Sequence, residues 1–223
     1  EELYFQMGRY MMIASSREGT LPPGLQAIWN AYEIAPWTAG YWYNVNQQMN
    51  YWPVFCANLG ELYKSYSDFN LARLKQAQIN GDTFIKSFRT DKYEEGKGQN
   101  GWIVGTGNSA FSVSGVGAKG HSGPGTGGFT AVSDIDYYRF TKDPEVLKST
   151  YPILESLARF YSKCVDNYDG VYLSTISASP EQKVGNTSYQ TVGCVFDQQM
   201  IYETNKAVID IYDEYKDVLD NPD

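Results

Sequence analysis

Apolar positions recur at helical spacing along most of this chain, and clusters of glycine, proline and amide residues divide them into segments. Near the start, Leu3, Phe5, Met7, Tyr10, Met11 and the pair Ile13 and Ala14 form a largely apolar stretch. It predicts a buried helix, although periodicity alone does not separate such a run from a buried strand. Residues 19–23 end it with one glycine and two prolines. After a loop rich in proline and tryptophan, residues 47–66 have helical character, with Pro53 expected near the first turn or at a kink. From about residue 70 to 88, Leu71, Leu74, Ala77, Ile79, Phe84 and Ile85 make an apolar stripe, so two consecutive helices predict an α-hairpin.

The helical pattern returns over residues 128–140, 144–165 and 195–215. The middle segment opens Asp-Pro-Glu, which places Asp143 as the cap and Pro144 at the first helical position. Between the last two, D-N-Y-D-G at 166–170 reads as a turn that feeds a short strand over 171–174. About six helices joined as successive hairpins, with strand signals confined to loops, predict an all-α array. No repeat of about 34 residues runs through the chain, which disfavours a regular solenoid.

Two interruptions carry more than punctuation. Residues 96–128 are glycine-rich, and a loop longer than about 12–15 residues in a compact domain is usually functional or disordered; a long functional loop is the better reading. Within it, G-V-G-A-K-G at 115–120 matches a dinucleotide-binding pattern in form only. No strand-helix unit with an acidic residue about 20 positions on surrounds it. The second interruption, N-V-N-Q-Q-M-N-Y-W-P at 44–53, crowds three asparagines, two glutamines and two aromatics together. Unsatisfied buried amides are expensive, so this segment is expected to line a wet cavity.

Composition narrows the ligand. The 223 residues are 42% hydrophobic, enough for a substantial core. A net charge of -8 argues against nucleic acid, whose phosphate backbone needs a basic footprint, and favours a neutral substrate. Aromatic residues make up 15% of the chain, and their flat faces suit sugar rings as well as a core. The one histidine, His121, lies in the glycine-rich loop, a poor setting for a Ser-His-Asp site. Cys56, Cys164 and Cys194 are far apart without C-x-x-C spacing, and D-N-Y-D-G departs from calcium-loop spacing. Neither a metal nor another cofactor is expected. No run approaches the roughly 20 apolar residues of a membrane span.

Several blocks occur in one order: G-R-Y-M-M-I-A-S-S-R from residue 8, L-Q-A-I-W-N from 25, the asparagine-rich stretch, and G-W-I-V from 101. G-G-F-T from 127, Y-Y-R-F-T-K-D from 137, S-P-E-Q from 179 and D-Q-Q-M-I from 197 follow. Together they resemble glycoside hydrolase family 95, whose known members remove α-L-fucose or α-L-galactose from glycans. The resemblance implies an (α/α)6 toroid with long glycine-rich loops, a sugar pocket formed by its inner helices and loops, and inverting hydrolysis. It also implies that residues 1–223 are part of that domain, without the family's N-terminal β-sandwich and its remaining helices. Half a toroid exposes apolar faces, so the remainder of a longer polypeptide is expected. A bacterial source and an extracellular or periplasmic location are expected from the resemblance alone.

The resemblance also distributes roles. Glu181, after the Ser-Pro, matches the general acid, and apolar walls beside it would raise its pKa. Asn44 and Asn46 match the asparagine pair that activates water when polarised by an aspartate. That aspartate lies beyond the S-P-E segment in the family and has no match before Asp223. Asp197 matches another block and reads as orienting neighbours or capping a helix. Asn50 and Gln48 are candidates to bind sugar hydroxyls or to tie the loop backbone. Trp52 and Trp102, with Trp29, Trp37 and Tyr51, are candidates to stack on the sugar or to fill the core. The family's His-His-Asn-Thr-Asp after Gly-Trp is here replaced by I-V-G-T-G-N-S, in which Asn108 and Ser109 align with its Asn-Thr. These losses point to a related sugar or altered linkage. The expected substrate is therefore an oligosaccharide hydrolysed in α-L-fucosidase fashion, the alternatives being an α-L-galactosidase-like enzyme, a catalytically silent carbohydrate-binding toroid and a purely structural helical fragment.

Overall fold

The computed structural model describes residues 1–116, 123–179 and 181–220. His121, Pro180 and most of the glycine pattern at 115–120 lie outside the described residues. The all-α expectation holds for the described residues: six α-helices are accompanied by short strands that pair only two by two. The helices are α1 (Glu2–Ser15), α2 (Asn46–Tyr51), α3 (Lys64–Phe88), α4 (Gly125–Thr141), α5 (Pro144–Cys164) and α6 (Val195–Asp220). The strands are β1 (Tyr41–Trp42), β2 (Gly107–Asn108), β3 (Val165–Tyr168), β4 (Val171–Ser174), β5 (Lys183–Val184) and β6 (Thr187–Ser188). Each consecutive pair is antiparallel.

The core lies between α3, α4, α5 and α6, with α4 packed on both α5 and α6 and α3 on α5. On α5, Leu147, Ile153, Leu154, Leu157, Phe160 and Tyr161 are buried, the three-and-four spacing of one helix face. The Asp143 side chain accepts from the Glu145 amide at 2.9 Å, the expected cap. The hairpin between α4 and α5 closes through Lys142, in the left-handed conformation at φ 53. The D-N-Y-D-G turn joins β3 to β4 as its residues require, with Gly170 at φ 90.

Three expectations about the first third of the chain need correction. α1 forms, but it is not buried: Leu3 and Tyr4 are 84% and 85% exposed. Its apolar side chains border a groove of about 780 Å³ shared with Trp29, Met49, Pro53 and Val54. The helix expected over 47–66 is broken, because α2 stops at Tyr51 and the chain turns through Pro53 and Asn58, the latter at φ 54. A 3-10 turn over Gly60–Tyr63 then leads directly into α3, which starts six residues before the expected 70.

Beneath this turn sits a buried polar network. Tyr63 donates to Asp134 Oδ1 at 2.9 Å, and Asp134 is fully enclosed on α4. Burial pushes its carboxyl up to about 7, against the opposing pull of the Tyr63 hydroxyl. A raised folded pKa means that this group's stability contribution is complete below the usual value of 3.8 and is lost as pH rises through 7. Asp134→Asn is therefore expected to flatten the decline, removing on the order of 2–4 kcal/mol of difference between pH 4 and pH 8. Urea midpoints of both proteins across that range check it, and parallel profiles would contradict it.

Candidate active site

Asn44 and Asn46 flank the start of α2, on a turn that leaves β1. Pairing of Tyr41 with Asn108 and Trp42 with Gly107 knits this turn to the glycine-rich loop. The Tyr43 amide extends the ladder to the Thr106 carbonyl at 2.8 Å. Tyr43 points inward, where its hydroxyl donates to Asn70 at 3.0 Å and accepts from Arg73. Successive residues of an extended segment face opposite ways, so Trp42 and Asn44 turn outward into a cavity of about 840 Å³. That volume suits a small ligand such as one or two sugar rings.

Glu181 reaches the same cavity from a distant part of the chain. Its segment is fastened upstream at Ser177, which exchanges backbone hydrogen bonds with Thr191 at 3.3 and 2.7 Å. The Gln182 amide turns back to the Ser179 carbonyl at 2.9 Å, and the β5 and β6 hairpin follows. Asn44 donates from Nδ2 to Glu181 Oε1 at 3.4 Å across 137 residues of sequence. Asn44 Oδ1 is shielded from solvent yet accepts no hydrogen bond from the described residues. An unmatched buried acceptor costs about 1–3 kcal/mol, so a hydroxyl or water that donated to it would be held firmly. Asn46 lines the cavity as well and is exposed. Glu181 is likewise exposed, and Leu25, Trp37, Trp42 and Val45 supply apolar surface to the space that it shares.

Under the Glu181 segment, Asp197 in the first turn of α6 is fully buried. It accepts from Ser177 Oγ at 2.5 Å through Oδ2 and from the Gly125 amide at 2.7 Å through Oδ1. The start of α4, the start of α6 and the Ser177 segment are thus joined at one carboxylate. Burial raises its pKa while these donors oppose the rise.

At the cavity mouth, Trp37, Thr38 and Ala39 occupy the left-handed region in succession, at φ 49, 56 and 50. For residues with a Cβ this costs about 1–2 kcal/mol each. The surroundings hold the turn: Thr38 Oγ1, the Gly40 amide and Trp42 Nε1 all donate to the Trp37 carbonyl, at 2.7, 3.1 and 3.2 Å. Gly24 passes so close that a Cβ there would lie 2.7 Å from the Ala39 carbonyl.

The other sugar-binding candidates stand away from this cavity. Gln48 is buried and donates to the Tyr43 carbonyl at 2.7 Å and to Thr130, which ties the turn to α4. Trp102 is 3% exposed, with its indole N–H on the Ile153 carbonyl at 2.7 Å, so it belongs to the core. Asn108 ties the loop to itself and to α3, accepting from Arg73 and Ser114 and donating to Gly105 at 2.6 Å. Asn50 donates to Gly24 at 3.3 Å and borders the α1 groove. Trp52, half exposed, lies against Phe129 with ring centroids 5.8 Å apart. Sequence reasoning missed Trp42 as a cavity residue. Its spacing of two from Asn44 was the available signal.

Residues 1–220 match the family described as Glycosyl hydrolase family 95 catalytic domain. The chain is 31% identical over 211 residues to the probable alpha-fucosidase A of Aspergillus niger, covering 91% of this chain and 25% of that protein. It is 32% identical over 195 residues to alpha-L-fucosidase 2 of Arabidopsis thaliana, covering 81% of this chain and 20% of the relative. A third match, to the probable alpha-fucosidase A of Aspergillus oryzae, is 45% identical over 62 residues, 28% of this chain and 9% of that protein. The chain thus spans a quarter or less of the length of these relatives.

Proposed function

Because this chain belongs to glycosyl hydrolase family 95, we propose that the polypeptide it comes from is an inverting glycosidase that removes a terminal α-L-fucosyl or closely related sugar from glycans. One observation carries the reading: Glu181 meets Asn44 and Asn46, although 137 residues separate it from Asn44, at a single sugar-sized cavity. Glu181 protonates the glycosidic oxygen as the bond to the anomeric carbon breaks. A water held by the amide oxygens of Asn44 and Asn46 attacks from the opposite face, and the sugar leaves with inverted configuration. A neutral amide is a weak base, so a carboxylate from elsewhere in the longer polypeptide polarises the pair and takes up the proton that the water loses. The 3.4 Å contact between Asn44 and Glu181 leaves no space for a ring between those atoms, so the Glu181 side chain swings aside when substrate enters. The uncovered apolar face of α1 fits a domain completed by further helices as an (α/α)6 toroid, with these residues as part of it. An extracellular or periplasmic location belongs to the same reading.

The test is a panel of α-L-fucosyl and α-L-galactosyl oligosaccharides incubated with the full-length polypeptide. Release of either free sugar is expected. Binding of the glycans without release of any sugar would instead identify a silent binding module.

A further inference from the structure

The strained turn at the cavity mouth has no role in the catalytic chemistry described above, yet three residues in succession are held in a conformation that side chains disfavour. Such strain persists where the surroundings over-determine it, and it collects at ligand-contacting positions. What the turn accomplishes is visible in the Trp37 side chain. Trp37 lines the cavity while remaining 69% exposed, the highest exposure among the five tryptophans. Trp42, deeper and half-buried over Gly107, braces it by donating its indole N–H to the Trp37 carbonyl at 3.2 Å.

We propose that the Trp37 ring is a stacking platform for the second sugar of the substrate, the one on the leaving side of the scissile bond. This rests on the glycosidase reading above. If a terminal sugar occupies the interior beside Asn44 and Glu181, the leaving sugar must point to the open mouth, where Trp37 stands. A pyranose presents a face of C–H groups, and a fixed indole offers a flat apolar surface to it at little entropic cost.

The experiment compares Trp37→Gly and Trp37→Phe with the wild type in the full-length polypeptide. Glycine removes the ring and adopts φ 49 freely, so the turn is retained; phenylalanine keeps a ring. Two substrates are used: an α-L-fucosylated trisaccharide, and α-L-fucosyl fluoride, which has no leaving sugar. The kcat/KM ratio of trisaccharide to fluoride is expected to fall about tenfold in the glycine variant, chiefly through KM, and by less than about threefold in the phenylalanine variant. Calorimetric titration with the unfucosylated disaccharide is expected to show a matching loss of affinity. An unchanged ratio would overturn the platform. Should the wild type hydrolyse neither substrate, the glycosidase reading fails, and the titration alone decides: weaker binding in the glycine variant supports the platform, and equal binding overturns it.

Discussion

Glu181→Gln is expected to lower kcat/KM for an α-L-fucosyl oligosaccharide by about 10²–10⁴-fold, the usual contribution of a positioned general acid. Glutamine preserves the shape of the side chain and its ability to meet Asn44, whose Nδ2 lies 3.4 Å from Glu181 Oε1, while removing the proton to be donated. The effect therefore falls on the chemical step. Because Glu181 is exposed on a turn and glutamine keeps an oxygen that can accept from Asn44, the thermal midpoint should stay within a few degrees of wild type. The loss also depends on the leaving group. Fluoride departs as a stable anion without needing a proton from a general acid, so α-L-fucosyl fluoride should be hydrolysed far better than the oligosaccharide by the variant. Equal losses on both substrates would remove Glu181 from the acid role and leave it as a binding group.

The second large effect concerns stability. Asp197→Ala is expected to destabilise the protein by about 3–5 kcal/mol, because it strands the Gly125 amide and the Ser177 hydroxyl inside the fold. These donors belong to two different elements, so the damage is not confined to one loop. The start of α4 loosens, and so does the segment that carries Glu181. Asp197→Asn, which keeps one acceptor oxygen, should cost less than half as much. Chemical denaturation of the three proteins measures this directly. A loss below about 1 kcal/mol for the alanine variant would mean that the buried carboxylate is dispensable.

These effects also show how unevenly the sequence revealed the structure. The α5 helix was legible because packing and local preference agree: an Asp-Pro start and a long stripe at three-and-four spacing lead to the same element. The start of α3 was obscured because the break before it depends on Asn58 in a left-handed conformation, which no local pattern demands. The exposure of α1 was illegible for a different reason. Its residues have the composition of a buried helix, and burial depends on what packs against a face rather than on the face itself.

The site divides in the same way. The amide-rich stretch was recognisable as a group, yet composition could not say which amides turn inward. The switch from extended chain to helix at Asn46 sends Gln47 and Gln48 into the interior and leaves Asn44 and Asn46 at the cavity. Nothing local couples Asn44 to Glu181 across 137 residues, and only the family resemblance paired them before the fold did. Asn108 illustrates the opposite failure. A polar residue in a glycine-rich loop suggested ligand binding, but the loop and Arg73 of α3 take up its hydrogen bonds.

The central claim is that Asn44 and Asn46 direct water to the face opposite the leaving group, which Glu181 protonates. Proton NMR of the first sugar released from an α-L-fucosyl oligosaccharide by the full-length polypeptide tests it most directly, before mutarotation mixes the anomers. The account predicts that the β-anomer appears first. Initial appearance of the α-anomer would mean retention through a covalent intermediate and would contradict the water-activating role given to Asn44 and Asn46.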